Sequence, residues 1–316
     1  MIRVDKLDLS RVPSGVHRFR VETVPNATGE IMTVPVLVKK GKKSGPIVGF
    51  TAAVHGNELN GLHVIHRLFD EISDETLNGT VVAVPVCNLP GFLNNQREFS
   101  DGQDLNRCFP GKHKGTPSDV YAYSLMENVI SQFDYLIDLH TASAGRINSL
   151  YVRADLKNPE TKKMASFQHA QIYVHNAGGD GTLRAAACER GIPAITLEIG
   201  DPSRIQRSLV ARTLDGVLEY LSALSMLNFN STEPSEEPVI CDRSYWIFTD
   251  VGGVLQVLPD LTQRIKQGDC IAIQKNLFGD LIKRYFAPED GIVIGKNVNP
   301  AASAGARLLH LGIPND

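Results

Sequence analysis

What this 316-residue sequence lacks narrows its chemistry first. Its five cysteines (Cys87, Cys108, Cys188, Cys241 and Cys270) are scattered, and no CxxC pair occurs. An odd, dispersed set argues against a disulfide framework and a cysteine-held zinc site, and reads as reduced thiols. Basic charge is not in excess: 32 Lys and Arg stand against 35 Asp and Glu, a formal net charge of -3. A nucleic-acid binder shows a basic excess and a basic stripe, so none is expected as a partner. The longest apolar runs, such as residues 47–54, fall far short of the roughly 20 residues needed to cross a bilayer, so no membrane partner is expected either. Residues 1–6 carry charges with no apolar stretch behind them, so no signal peptide is expected and the cytoplasm is the expected compartment. No internal repeat and no low-complexity tract is present.

What the sequence does contain is an alternation of strand and helix patterns. Its 42% apolar and 21% charged residues are ordinary for a soluble globular protein, and the length allows one large domain plus a small one. Residues 16–40 alternate apolar and polar positions around turn signals and predict an antiparallel strand pair. Residues 47–54 form a continuous apolar run, as a strand buried on both faces does. A helical stripe follows, with Leu59, Leu62, Val64, Ile65, Leu68, Phe69 and Ile72 on or near one face. Further strands are predicted at 80–86, 135–139 and 194–197, with helices at 120–132, 182–190 and 208–226. This order predicts an α/β fold with a mixed, mostly parallel sheet flanked by helices. Residues 228–238 are polar, acidic and punctuated by proline, and read as a linker. Beyond them, short strands spaced by glycine-containing turns predict a small all-β barrel or sandwich. The expected domains are therefore 1–227 and 239–316.

His55, His140 and Glu198 all fall at or just past the ends of predicted strands. In open α/β sheets that edge is where ligands bind. His55-Gly56-Asn57-Glu58 is an HxxE motif, and both residue types are good zinc ligands. Alone the motif is a weak signal, and two ligands do not hold a catalytic zinc. His140 is the best third candidate. Asp138, two residues earlier on an extended strand, points to the same side and could orient the imidazole. The resulting His2Glu set leaves a fourth position open, as catalytic zinc sites do. His63 and His66, further along the helix, read as structural, with His63 the nearer of the two to the site. Residues 88–111 are rich in Asn, Gly and Pro and carry Arg97 and Arg107. Guanidinium suits a carboxylate through two parallel bonds, although composition alone would leave both arginines as surface charges.

Four motifs occur in order: His55-Gly56-Asn57-Glu58, residues 104–111 beginning Asp104-Leu105-Asn106-Arg107, Asp138-Leu139-His140-Thr141, and residues 196–200 around Glu198. In this order the chain resembles the succinylglutamate desuccinylase/aspartoacylase family, which is related to the zinc carboxypeptidases. The resemblance covers about residues 45–225, and the β module after 238 also looks like the family's C-terminal domain. It implies a zinc-carboxypeptidase-like fold and one zinc ion per chain, held by His55, Glu58 and His140. It further implies that Glu198 activates the attacking water and that Arg97 polarises the scissile carbonyl. Asn106 and Arg107 match the pair that binds the substrate's α-carboxylate. Arg146, Arg153 and Arg184 could read the acyl group but have no assigned role.

The expected function is therefore hydrolysis of the amide bond in a small N-acyl amino acid. The alternatives are a carboxypeptidase-like peptidase, which needs a more open cleft, and a non-catalytic binding protein of the same fold. The acyl group and the amine are not legible, and a homo-oligomer stays open.

Overall fold

The computed structural model describes residues 1–229 and 237–314. The first half of the chain holds strands β1 (Ile2–Val4), β2 (Gly15–Pro25), β3 (Ile31–Lys40), β4 (Lys43–Ala52) and β5 (Asn78–Val84), with helices α1 (Asn60–Glu71) and α2 (Leu89–Leu93). Next come α3 (Pro117–Asn128), β6 (Tyr135–His140), β7 (Arg146–Asn148), β8 (Leu150–Ala154), α4 (Pro159–Ser166), β9 (Ile172–His175), α5 (Leu183–Glu189), β10 (Ala194–Ile199) and α6 (Arg207–Ala223). The remainder is all strand: β11 (Val239–Phe248), β12 (Gly253–Val257), β13 (Arg264–Ile265), β14 (Cys270–Lys275), β15 (Leu281–Phe286), β16 (Gly291–Asn297), β17 (Ala301–Ala302) and β18 (Arg307–Pro314).

The fold is mixed α/β with a largely parallel centre, as the alternation predicts. In the main sheet the strands run β1-β2-β3-β5-β4-β6-β10-β8-β9-β11-β18-β16-β13, with β7 pairing β16. The central strands β5, β4, β6 and β10 are all mutually parallel. They are buried on both faces, which is why 47–54 carries no polar alternation. Val48, Phe50 and Ala52 pack with Val64, Ile65 and Leu68 of α1 and with Leu214 and Val217 of α6. Val82, Val84 and Leu136 face the other way, onto Ala122, Leu125 and Met126 of α3. Apart from the two alanines, each of these side chains contributes about 1.5–3 kcal/mol of burial.

The helix starts follow local chemistry. Thr116 and Asp119 form a reciprocal capping box on α3, with Pro117 in the first turn. The Thr182 hydroxyl accepts from the Ala185 amide and starts α5. Several elements were not foreseen, among them α2, α4, β8 and β9. β8 and β9 are only five and four residues long, too short for a periodicity to register.

The predicted linker at 228–238 falls mostly outside the described residues. After it, β11 adds to the main sheet through parallel pairing of Val239 with Ile172 on β9. β18, β16 and β13 follow, while β15, β14, β12 and β17 form a separate four-stranded antiparallel sheet. Leu255, Ile271, Leu309 and Leu311 fill the space between the two. Of the C-terminal strands, β11, β18, β16 and β13 therefore lie on one continuous sheet with the strands that carry the candidate site.

Candidate active site

The parallel register sets His55, His140 and Glu198 along one sheet edge. His140 closes β6, directly beside Glu198 on β10, and Ala52, the last residue of β4, sits beside Leu139. β10 runs one residue past Glu198, to Ile199. Between β4 and His55 the chain turns sharply, with Ala53 in the left-handed region at φ 48°. Such a conformation costs a non-glycine residue about 1–2 kcal/mol. Gly56 has a different reason for being glycine: a Cβ there would lie 2.0 Å from the Gly91 carbonyl carbon of α2. Backbone against backbone leaves no room for a side chain. Asn60 then ties α1 to the end of β10 by donating to the Ile199 carbonyl at 2.7 Å.

Three buried side chains converge here. Nδ1 of His55 lies 2.8 Å from one Glu58 oxygen, and Nδ1 of His140 lies 2.9 Å from the other. One ligand-type atom from each of the three falls within 4.8 Å of the other two. The far nitrogen of each imidazole is engaged elsewhere. His140 Nε2 meets Asp138 Oδ2 at 2.8 Å, and His55 Nε2 meets Asp104 Oδ1 at 3.0 Å. With each Nε2–H donated to a carboxylate, both Nδ1 lone pairs turn inward, as they must to bind a metal. Two imidazole nitrogens and a carboxylate suit zinc among several divalent ions.

Asp138 behaves as its spacing predicts, and Thr51 adds a second hydrogen bond to it at 2.7 Å. Asp104, the first residue of its motif, has a role that its place in the sequence does not reveal. It caps the short 3-10 turn Leu105–Arg107 through the Asn106 amide, and it holds both His55 and Arg97. Arg97 is anchored by Asp104 Oδ2 at 2.7 Å and by the Ser143 hydroxyl. Its Nη1 also reaches Glu58 Oε1 at 3.1 Å, against the metal-ligand group itself.

Asn106 is buried, and its Oδ1 accepts from the Leu183 amide at 2.8 Å, pinning the start of α5. Its amide lies 3.5 Å from His140 Nε2. Arg107 lines the cleft and donates to the Asn106 carbonyl at 2.7 Å. Gly181, at φ 71°, packs against the Arg107 carbonyl, where a Cβ would come within 2.7 Å. Glu198 is open to the cleft on one side. Its Oε2 accepts from the Asn148 amide at 3.2 Å, and Tyr151 stands opposite it on β8. His63 and His66 are exposed on α1 and line no part of the cleft. His310, given no role by the sequence, does line it.

The electrostatics separate the two glutamates. Burial pushes Glu58 up, but the two imidazoles and their hydrogen bonds outweigh it and hold Glu58 well below the carboxylate range. Burial raises Glu198, and the nearby Glu58 charge adds to the rise, against partial relief from His140 and Arg153. For His140, burial is overcome by the Asp138 charge and hydrogen bond, so its pKa rises. One carboxylate is thus fixed as an anion while the other is made more basic, the pattern of a ligand beside a proton acceptor.

The cleft encloses about 270 Å³, and β11 and β18 wall one side of it with Trp246, Arg307 and His310. Among the described residues, no helix is long and apolar enough to cross a membrane.

The family model for the succinylglutamate desuccinylase/aspartoacylase catalytic domain matches residues 44–224. An N-alpha-acetyl-L-2,4-diaminobutyric acid deacetylase of Halomonas elongata is 22% identical over 309 residues, covering 93% of this chain and 89% of that protein. A succinylglutamate desuccinylase of Pseudomonas aeruginosa is 24% identical over 188 residues, and the match spans 55% of each chain. Among solved structures, a succinylglutamate desuccinylase/aspartoacylase from Rhodobacter sphaeroides superposes with a TM-score of 0.87 at 20% identity, covering 98% of this chain and 97% of that one. The product-bound ectoine utilization protein EutE (DoeB) of Ruegeria pomeroyi gives 0.86 at 22% identity, covering 96% and 98%. At these identities the superpositions establish a shared fold.

Proposed function

The chain belongs to the succinylglutamate desuccinylase/aspartoacylase family, and from that premise we propose that it hydrolyses the amide bond of a small N-acyl amino acid, using one zinc ion. The observation that carries the reading is the convergence of His55, Glu58 and His140 at the sheet edge shared with Glu198. The deacetylase and desuccinylase relatives support it, since both names describe removal of an acyl group.

His55, Glu58 and His140 hold the metal in this reading. When bound, zinc supplies Lewis acidity toward the scissile carbonyl and lowers the pKa of water toward about 7. Glu198 takes the proton from the attacking water and passes it to the leaving nitrogen. Its raised pKa suits both steps, because a more basic carboxylate accepts more readily and its acid form still donates. Arg97, anchored by Asp104, stabilises the negative charge that develops on the carbonyl oxygen. Such a preorganised donor contributes about 3–4 kcal/mol. Arg107, with Asn106 holding its turn, takes the substrate's α-carboxylate.

A carboxypeptidase-like reading uses the same residues. The small cleft, walled by β11 and β18, favours a small substrate over a peptide. A non-catalytic binding role would not need Glu198 beside a complete ligand set. The deciding experiment assays N-acetyl-, N-formyl- and N-succinyl-amino acids and C-terminal dipeptides, each with added zinc and with chelator. Zinc-dependent, chelator-sensitive release of an amino acid from an acylated substrate is expected. Turnover of peptides alone would favour the peptidase, and no turnover in any arm would favour the binding protein.

A further inference from the structure

A base that takes a proton from one atom and returns it to another must keep the same carboxylate oxygen aimed at both. A glutamate side chain has several free torsions, so its carboxylate stays aimed only if a neighbour holds it. In this protein Oε2 of Glu198 accepts from the Asn148 side-chain amide at 3.2 Å. Asn148 is buried, yet it borders the cleft.

Asn148 does not lie on a strand that neighbours β10 in the sheet. It closes β7, a three-residue strand whose ladder partner is β16, far along the chain. There it sits opposite Gly295. The joint is fastened on both sides of β7. The Val298 amide donates to the Gly145 carbonyl at 2.8 Å, and the Ser149 amide and hydroxyl both donate to the Ile294 carbonyl at 3.0 Å. The amide that meets Glu198 is thus carried on a short strand that the last part of the chain clamps in place.

Two features fit this position to the contact better than to packing. The Asn148 Oδ1 is buried with no hydrogen-bond partner among the described residues. An unpaired buried amide oxygen costs stability, and an apolar side chain of similar volume would avoid that cost. The second feature is Gly295. A Cβ there would lie 2.3 Å from the Asn148 Oδ1, far inside contact distance. The Gly295 backbone is outside the left-handed region, so its conformation does not call for glycine, whereas the space does. The orientation of the amide follows as well. Turned the other way, it would set Oδ1 against an anionic carboxylate.

We propose that Asn148 is the positioning residue for the Glu198 carboxylate, and that Gly295 makes the room its amide needs. For the reaction this rests on the deacylase reading; for the placement it rests on the contact itself. The bond also sorts the two oxygens of Glu198. Oε2 already accepts from Asn148 and is the poorer proton acceptor, which leaves Oε1 to take the proton and hand it on.

Kinetics on the zinc-loaded protein test the hold. Asn148→Leu keeps the volume and removes the donor, and Asn148→Ala removes both. Each should lower kcat roughly ten- to a hundredfold, the scale of losing a bond to a charged group, with KM within about twofold and zinc content at the wild-type level. If Asn148 only filled the joint, Leu would restore the kcat that Ala loses, and the positioning of Glu198 would be overturned. Circular dichroism checks that each variant folds, and Asn148→Ala stands alone should Leu crowd the joint. Gly295→Ala should lower kcat in the wild-type background by pushing the amide off Glu198. In the Asn148→Ala background it should change little, because no amide remains to be pushed. Equal losses in the two backgrounds would overturn the part given to Gly295.

Crystal structures read the placement without turnover. Wild type should show one Glu198 conformer bonded to Asn148. Asn148→Leu, or Asn148→Ala in its stead, should show Glu198 in another rotamer or spread over several. If wild type turns over no acylated substrate, the deacylase reading fails, while that displacement still sustains the hold of Asn148 on Glu198. An unmoved Glu198 overturns the hold, as does an unchanged kcat in both Asn148 variants of an active enzyme.

Discussion

Asp138 Oδ2 lies 2.8 Å from His140 Nε2, two residues apart on one strand. Side chains return to the same face every second residue, so the short sequence Asp138-Leu139-His140 suffices to build the pair. The acid holds the Nε2 proton and turns Nδ1 toward Glu58, 2.9 Å away. Asp138→Asn keeps the shape and removes the charge that makes the imidazole a good ligand. It should lower zinc affinity about ten- to a hundredfold without unfolding the protein. Competition against a chelator of known affinity measures this, and unchanged affinity would show that Asp138 does not support the ligand.

Glu198→Gln should abolish turnover while zinc content stays near wild type. The side chain keeps its volume and its contact with Asn148, and loses only the proton-accepting carboxylate. Metal analysis beside steady-state kinetics separates the possibilities. A variant that loses its zinc would make Glu198 a ligand and not a base.

Arg107→Lys tests the carboxylate grip. An ammonium is a point charge and lacks the planar fork. Loss of a charge-assisted bond costs about 1.5–3 kcal/mol, or roughly ten- to a hundredfold in kcat/KM. The loss should appear on a substrate with a free α-carboxylate and be much smaller on the same substrate amidated there. Equal losses on both, with a lower Tm, would assign Arg107 to stabilising its turn.

The acid sensitivity of the fold should depend on His310. Burial and the charges of Arg153, Arg307 and Arg146 push its pKa well below 6.5, and the rings of Tyr151 and Trp246 enclose it. The unfolded chain takes up a proton below about pH 6.5, and the folded chain does not. Stability from this source is therefore full above pH 6.5 and declines as pH falls below it. The slope is at most about 1.4 kcal/mol per pH unit. In His310→Gln the fall of Tm between pH 6.5 and 5 should be shallower than in wild type. Parallel Tm curves would mean that His310 is protonated in the folded state as well.

Much of the framework was legible from periodicity. The run at 47–54 lacks polar alternation because both faces of β4 are buried, and the parallel register then set His55, His140 and Glu198 at one edge. His63 shows a limit of this kind of reading. It lies close to the motif in sequence, yet α1 carries it outward into solvent. The helical period places a residue on a face, but what lies against that face is a tertiary matter.

Sequence alone therefore determined what local geometry governs. His55 and Glu58 meet across one tight turn, Asp138 and His140 across one strand repeat, and the capping residues of α3 and α5 act within four positions of themselves. Tertiary structure alone decided the contacts between distant segments. Asp104 reaches His55 across 49 positions. β11 joins the edge of the main sheet at β9 and brings Trp246 to the cleft, where Arg146 and Arg307 close on it from strands far apart in the chain. Periodicity tells which face of an element is buried but not which element will cover it. That choice depends on the path of the whole chain and on the packing it completes.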